Sequence, residues 1–245
     1  MLRGCDISHH NGDNAVKRII DEYGAQIDFF IIKVTEGKTY VDPKWDGNVA
    51  DALLNNKLIG LYHYARPENN TYEEEAEHFC KYFKNHIGRA IPCLDWEGVA
   101  LQYSPEWALG WMDTVFRITQ VRPVIYVQQS EVRKLECIQR HNYGLWVARW
   151  NTNPGTIYPW AYYTMWQYTS SPIDLNYFNG KEEQFLKYCQ PVKSLTIPEP
   201  DDTLQPDDLG DLEVNCNGEI VVTKGDKVLW RGKITLSSAQ DSEGN

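Results

Sequence analysis

No apolar run in this sequence approaches the roughly 20 residues needed to cross a bilayer, so no membrane-spanning helix is expected. No CxxC pair or other metal-ligand spacing links the cysteines. Cys5, Cys80, Cys93, Cys137, Cys189 and Cys216 stand apart and read as buried or incidental thiols. No leader is expected ahead of the first strand-like segment, because Met1-Leu2-Arg3-Gly4 runs straight into it. The expectation is a protein made and folded in the cytoplasm. Bases are in short supply: 24 Lys and Arg face 34 Asp and Glu, a formal net charge of −10. That balance argues against nucleic acid, which needs clustered cations, and against docking on an anionic membrane.

What is present is a chain of 245 residues, 42% hydrophobic, long enough for one large domain and a small appendage. Nine Trp, 15 Tyr and 7 Phe supply core area and flat apolar faces on which sugar rings pack. Strand-like and helix-like segments alternate. Leu2–Ile7, Phe29–Val34, Leu58–Ala65, Ala90–Asp95 and Pro123–Val127 read as strands. The helical patterns between and after them cover 14–23, with Asp13 as a possible cap, and 42–56, opening on Asp42-Pro43. Further ones run from the Thr71/Glu74 capping box to about 85, from Ser104-Pro105 to about 120, and from Ser130 to about 140. Leu145–Ala148, Tyr163–Tyr168 and Ile173–Leu175 then read as strands with no convincing helix between them. Five βα units followed by three strands predict an α/β fold, a parallel sheet closed into a barrel over residues 1–190.

From Pro191 the character changes. Residues 191–212 are rich in Pro and Asp and read as an acidic linker. Residues 191–245 hold 11 acids and 5 bases, so −6 of the net charge belongs to this end. Within 213–236 lie three strand candidates, 213–216, 219–224 and 227–234, joined at the hairpin signals Asn217-Gly218 and Gly225-Asp226. A meander this small is not stable alone; packing on the barrel and packing on another copy are both open. Residues 237–245 read as a frayed tail.

In a βα barrel the active site lies at the C-terminal ends of the strands. Asp6 falls there on the first strand, Asp95 and Glu97 on the fourth, and Asp174 in the last. Alternation along a strand puts Asp95 and Glu97 on one face and Trp96 on the other. Two carboxyls that close raise one pKa, which suits a Glu general acid beside an Asp that stabilises positive charge. Solvated acids at a strand end are the competing reading, and the acids from the other strand ends weaken it. In Asp6-Ile7-Ser8-His9-His10-Asn11-Gly12 an Asp and two His offer a rival metal site. Adjacent His residues point to opposite sides, however, and no second cluster matches them, so no metal is expected. His63, between Tyr62 and Tyr64, faces a helix if the tyrosines face the lumen, and is then structural.

In order along the chain, Asp6-Ile7-Ser8-His9-His10-Asn11-Gly12, Ile32-Lys33-Val34-Thr35-Glu36-Gly37 and Gly60-Leu61-Tyr62-His63-Tyr64-Ala65-Arg66 are followed by Leu94-Asp95-Trp96-Glu97. Then come Pro123-Val124-Ile125-Tyr126, Leu145-Trp146-Val147-Ala148, Trp166-Gln167-Tyr168 and Ile173-Asp174-Leu175-Asn176. With this series the chain resembles the glycoside hydrolase family 25 lysozymes, the Chalaropsis-type N-acetylmuramidases of phages and bacteria, over about residues 1–190. Each motif alone is weak; the ordered series is specific. The resemblance implies a flattened TIM-like barrel of five βα units plus three strands. It implies cleavage of the β-1,4 bond between N-acetylmuramic acid and N-acetylglucosamine in bacterial peptidoglycan, with no cofactor and with net retention. By the same resemblance Glu97 is the general acid/base, Asp95 steers the substrate's 2-acetamido group, and Asp6 and Asp174 tune charge and position. A direct nucleophilic role for Asp6 stays open beside substrate assistance. Lys33, Tyr62, Tyr64, Tyr126, Trp146, Trp166 and Gln167 are the cleft-lining candidates, with a core role competing for the aromatics. The wall would be met after release, as in phage or prophage lysis. The last 55 residues show no wall-binding repeat and a single aromatic, Trp230. A wall-binding relative without turnover and a chitin-directed hydrolase are the rival functions.

Overall fold

The computed structural model describes residues 1–192 and, beyond them, strands at 211–214, 219–224 and 227–233. In chain order the elements are β1 (Leu2–Ile7), α1 (Ala15–Tyr23), β2 (Phe29–Glu36), β3 (Tyr40–Val41), α2 (Trp45–Leu54), β4 (Leu58–Tyr64) and α3 (Tyr72–Phe83). They continue with β5 (Ala90–Asp95), α4 (Pro105–Thr119), β6 (Val124–Gln128), α5 (Glu136–Arg140), β7 (Gly144–Ala148), β8 (Met165–Thr169), β9 (Leu175–Phe178) and α6 (Glu182–Tyr188). The sheet order is β1-β9-β8-β7-β6-β5-β4-β2-β3, and a further β1–β2 pairing closes it into an eight-stranded barrel with β3 outside the ring. The fold is therefore the expected α/β, TIM-like barrel. Among the described residues of the C-terminal part, β10 (Asp211–Val214), β11 (Glu219–Lys224) and β12 (Lys227–Lys233) form an antiparallel meander.

The alternation of side chains divides the apolar residues into two cores. Phe29, Ile31, Ile91, Cys93, Val124, Trp146, Met165 and Phe178 fill the lumen. Phe30, Ile32, Leu61, Leu94, Ile125 and Val147 face the helices. A strand packed on both faces explains the unbroken apolar run of β2. The floor of the barrel is closed by α6, whose Phe185 ring lies 5.4 Å from Phe29 and 5.0 Å from Phe178.

Three expectations are corrected. The last strand is Leu175–Phe178 rather than Ile173–Leu175, and it runs antiparallel to both β8 and β1. The reason is reach: only five residues join β8 to β9, and a parallel return needs a crossover of a dozen or more. The helix expected from 42 starts at Trp45, because Asp42 turns its carboxylate to the Lys44 backbone N–H (2.9 Å) and to the His9 backbone N–H and Nδ1 (3.0 and 2.7 Å). The segment after Ser130 is a 3-10 helix, Gln129–Leu135, before α5 begins. By contrast, the Thr71/Glu74 capping box is formed at the start of α3. The short strand β3 and the floor helix α6 carry weak sequence signals and are additions.

Contacts divide the chain into two compact units, Met1–Lys193 and Ser194–Asn245. The acidic linker lies from 193 to 210 outside the described residues, as does the tail 237–245.

Ring closure depends on a glycine. A Cβ on Gly4 in β1 would stand 2.4 Å from the Phe29 carbonyl oxygen and 2.6 Å from its ring. Gly4→Ala is expected to destabilise by about 1–3 kcal/mol, lowering the thermal midpoint by several degrees. A melting curve superimposable on wild type would show that the seam yields.

Candidate active site

The parallel strands deliver Asp6, Lys33, Tyr62, Tyr64, Asp95, Tyr126 and Trp146 to one parity, the same one that carries the lumen core. Gln167 on β8 joins them. Because β9 runs backwards, its beginning lies at the end of β1: the Asp6 N–H donates to the Asp174 carbonyl at 3.3 Å. The reversal that corrects the fold is thus what brings Asp174 to the same mouth.

Asp6 is the centre of a polar network. Its Oδ1 accepts from Gln167 Nε2 at 3.0 Å and from Asn176 Nδ2 at 2.6 Å. Gln167 Oε1 in turn accepts from the Tyr126 hydroxyl at 3.0 Å and from Trp150 Nε1 at 3.1 Å. Asn176 Oδ1 accepts from Trp146 Nε1 at 2.7 Å. Both amides have their carbonyl end held by a donor, so both present their NH2 to Asp6. Asn176 and Trp150 were not singled out from the sequence. Asn176 shares strand parity with Asp174, and Trp150 follows a strand end, signals that could have found them.

The four acids influence one another. Burial, followed by Glu97 and Asp6, holds the Asp95 carboxyl well above the usual range, against the pull of Lys33. Asp95 is 8% exposed, and its Oδ1 has no hydrogen-bond partner among the described residues. Burial and then Asp174 raise Glu97, again opposed by Lys33. Burial and then Asp174 push Asp6 to about 7 in spite of its two amide donors. Burial raises Asp174 as well. A site in which several carboxyls resist ionisation can store a proton and release it on demand.

Lys33 is the cation beside this group. It is 6% exposed, donates to Glu36 Oε2 at 2.6 Å and stands 4.8 Å from the centre of the Tyr64 ring. Tyr64 is pushed up to about 12 by burial, then by Asp95 and Glu97. Gly98, with φ +58°, turns the chain after Glu97 against the Tyr64 hydroxyl, where a Cβ would come within 2.9 Å.

Trp166 is the one cleft candidate that the structure sets elsewhere. One residue from Gln167, it takes the opposite face and joins the helix-side core. There its Nε1 donates to the Arg149 carbonyl at 2.9 Å. His63 also faces outward, with Nε2 2.7 Å from Glu75 Oε2, Nδ1 2.8 Å from Thr35 Oγ1, and its ring stacked on Trp111. It is a strand-to-helix tie. The rival metal set of Asp6, His9 and His10 does not assemble: His9 pairs with Asp42 and Asp6 with amides. Among the described residues no group of three or more His, Cys, Asp and Glu is placed to hold a metal.

A buried acid with a raised pKa has a stability signature. The proton on Asp95 is held more tightly in the folded chain than in the unfolded one, so its contribution is intact at low pH and lost as pH rises through the folded-state value. Asp95→Asn should therefore raise the thermal midpoint at pH 8, by roughly 2–4 °C per kcal/mol recovered. The gain should shrink toward pH 4. Calorimetry at both values checks this; a variant less stable than wild type at pH 8 would contradict it.

Comparison with known proteins gives the geometry a family. The profile described as glycosyl hydrolases family 25 matches residues 5–176. The N,O-diacetylmuramidase of Chalaropsis sp is 27% identical over 209 residues, covering 76% of this chain and 98% of that protein. Lysozyme M1 of Streptomyces globisporus is 26% identical over 219 residues, covering 76% and 70%. Among solved structures, the muramidase from Acremonium alcalophilum superimposes with a TM-score of 0.67 at 25% identity, over 78% of this chain and all of that one. A profile match over most of the chain, with the barrel and its acidic mouth in place, makes this protein a member of glycosyl hydrolases family 25 and a glycoside hydrolase.

Proposed function

We propose that the protein is a lysozyme that hydrolyses the β-1,4 bond between N-acetylmuramic acid and N-acetylglucosamine in peptidoglycan, with net retention by substrate assistance. The observation that carries this reading is the convergence of Asp6, Asp95, Glu97 and Asp174, all with raised pKa values, at one barrel mouth. The names of the relatives, a muramidase and a lysozyme, support the substrate. Residues 1–190 are the catalytic part in this reading, and the enzyme meets the wall after release from the cell that makes it.

Asp95 and Glu97 act as a coupled pair that shares a proton. When an acetamido N–H enters beside Asp95, the ionised form of that acid is favoured and the proton resides on Glu97. Glu97 passes it to the glycosidic oxygen as the bond from that oxygen to the anomeric carbon breaks. The acetamido oxygen forms the new bond to the same carbon, and Asp95 balances the positive charge on the acetamido nitrogen. Water then attacks that carbon from the vacated side, gives its proton to Glu97, and returns the acetamido group. Two displacements leave the configuration unchanged, without a carboxylate nucleophile. Burial and the nearby Asp174 keep Glu97 protonated, and the amides on Asp6 hold the mouth in shape.

Three outcomes follow. Purified peptidoglycan should release reducing ends with wild type, and Glu97→Gln should lose at least about 100-fold, the low end for removing a general acid. Wall binding without release of reducing ends by wild type would point to the non-catalytic relative. Borohydride reduction of the products should mark muramic acid; reduced N-acetylglucosamine would contradict the bond assignment, and preferred cleavage of chitin oligomers would favour the chitin-directed reading. Because the general acid works protonated, the rate should also fall as pH climbs through the raised Glu97 value. A flat rate from mildly acidic to strongly alkaline pH would remove Glu97 from that role.

A further inference from the structure

Trp150 lies two residues beyond the end of β7 and is 62% exposed. An indole normally buries most of its surface, and this one is held in the open by design of its surroundings. Its Nε1–H is spent on Gln167 Oε1 at 3.1 Å. The backbone on either side is fixed: the Arg149 N–H donates to the Gln167 carbonyl at 3.0 Å, and the Asn151 N–H to the Arg149 carbonyl at 2.9 Å. The Arg149 guanidinium reaches Asn153 Oδ1 at 2.5 Å. Trp166, from the outer face, donates to the same Arg149 carbonyl. The ring edge is anchored while its faces stay open beside a polar mouth. A pyranose presents the matching surface, an apolar C–H face ringed by hydroxyls.

The anchor has a second consequence. With Trp150 and Tyr126 both donating to Gln167 Oε1, the amide has one orientation, and its NH2 points at Asp6. Removing one donor loosens that choice.

We propose that Trp150 is a saccharide-binding platform of the mouth and, through Gln167, a positioning residue for the amide donor on Asp6. The proposal rests on the muramidase reading for the identity of the sugar. The test uses the full chain and a soluble tetrasaccharide of alternating N-acetylglucosamine and N-acetylmuramic acid. Calorimetric titration should show Trp150→Ala weakening affinity on the order of tenfold, as loss of an aromatic anchor does. Trp150→Phe keeps a ring face and should stay within about threefold of wild type. Lacking the N–H, it should nevertheless move the titration of the Asp6 carboxyl, followed by carboxyl 13C NMR, to higher pH, since a less firmly held donor stabilises the carboxylate less. Asp174, Asp95, Tyr62, Tyr126, Cys5 and Cys93, the ionisable groups around Asp6, are untouched by either substitution. Unchanged affinity in Trp150→Ala overturns the platform, and an Asp6 titration unmoved in Trp150→Phe overturns the positioning; either sinks the proposal. If wild type binds the tetrasaccharide in a Trp150-dependent way and releases no reducing ends, the catalytic reading fails and the platform stands. If wild type does not bind it, both fail.

Discussion

One carboxylate oxygen ties together the antiparallel side of this barrel. Asp6 Oδ1, on β1, takes an N–H from Gln167 on β8 and another from Asn176 on β9. Those three strands carry the two antiparallel pairings within the ring, which meet on β9. The amides cannot turn away, because Tyr126, Trp150 and Trp146 hold their far ends. The charge centre of the mouth and the antiparallel corner of the ring are therefore one structure. A substitution at Asp6 acts on both, and a purely kinetic reading of such a variant would be incomplete.

Gathering four carboxyls in a half-buried mouth is costly. Each loses hydration and repels the others, and the outcome is not four charges but carboxyls that retain protons to higher pH. The bill is met elsewhere in the fold. Below the mouth the lumen is apolar, packed with Phe29, Ile31, Ile91, Val124, Met165 and Phe178 and closed underneath by Phe185. The barrel is thus graded along its axis, with apolar burial at the floor supplying the stability that the acids at the top consume. Lys33 moderates the grade, since it lowers both Asp95 and Glu97 while its own charge is tied to Glu36.

Much of this was legible in the sequence because it depends on period two. The parity that makes FFIIKVTE a strand also says that Lys33 shares a face with Phe29 and Ile31, and the same count puts Asp95 inside and Trp96 against Trp107 outside. The strand ends Asp6 and Asp95 needed no correction. What failed were features set by connection length and by tertiary competition. The reversal of β9 follows from a five-residue link, and Asp42 prefers His9 to a longer helix. Trp166 and Trp150 show the limit clearly. Parity, applied strictly from Gln167, places Trp166 outside; it was the motif, not the count, that put it in the cleft. Trp150 lies past the strand, where alternation gives no answer, and only the hydrogen bond to Gln167 locates it.

That contrast between the two tryptophans bears on how the mouth is built. A rim residue on a loop is mobile unless its backbone is satisfied, and a sugar platform that moved would lose in ordering what it gained in contact. Trp166 removes that difficulty from the far side of the sheet. It buries its ring among the helix-side residues and spends its N–H on the carbonyl of Arg149, the residue before Trp150. Strand β8 thereby supports the rim twice: Gln167 takes the indole N–H from the lumen side, and Trp166 holds the chain from the outer side. Consecutive residues on opposite faces of this strand grip the loop from both directions. On this argument the Trp-Gln order matters more than either residue alone, and exchanging the two would lose the mouth although both side chains were still present.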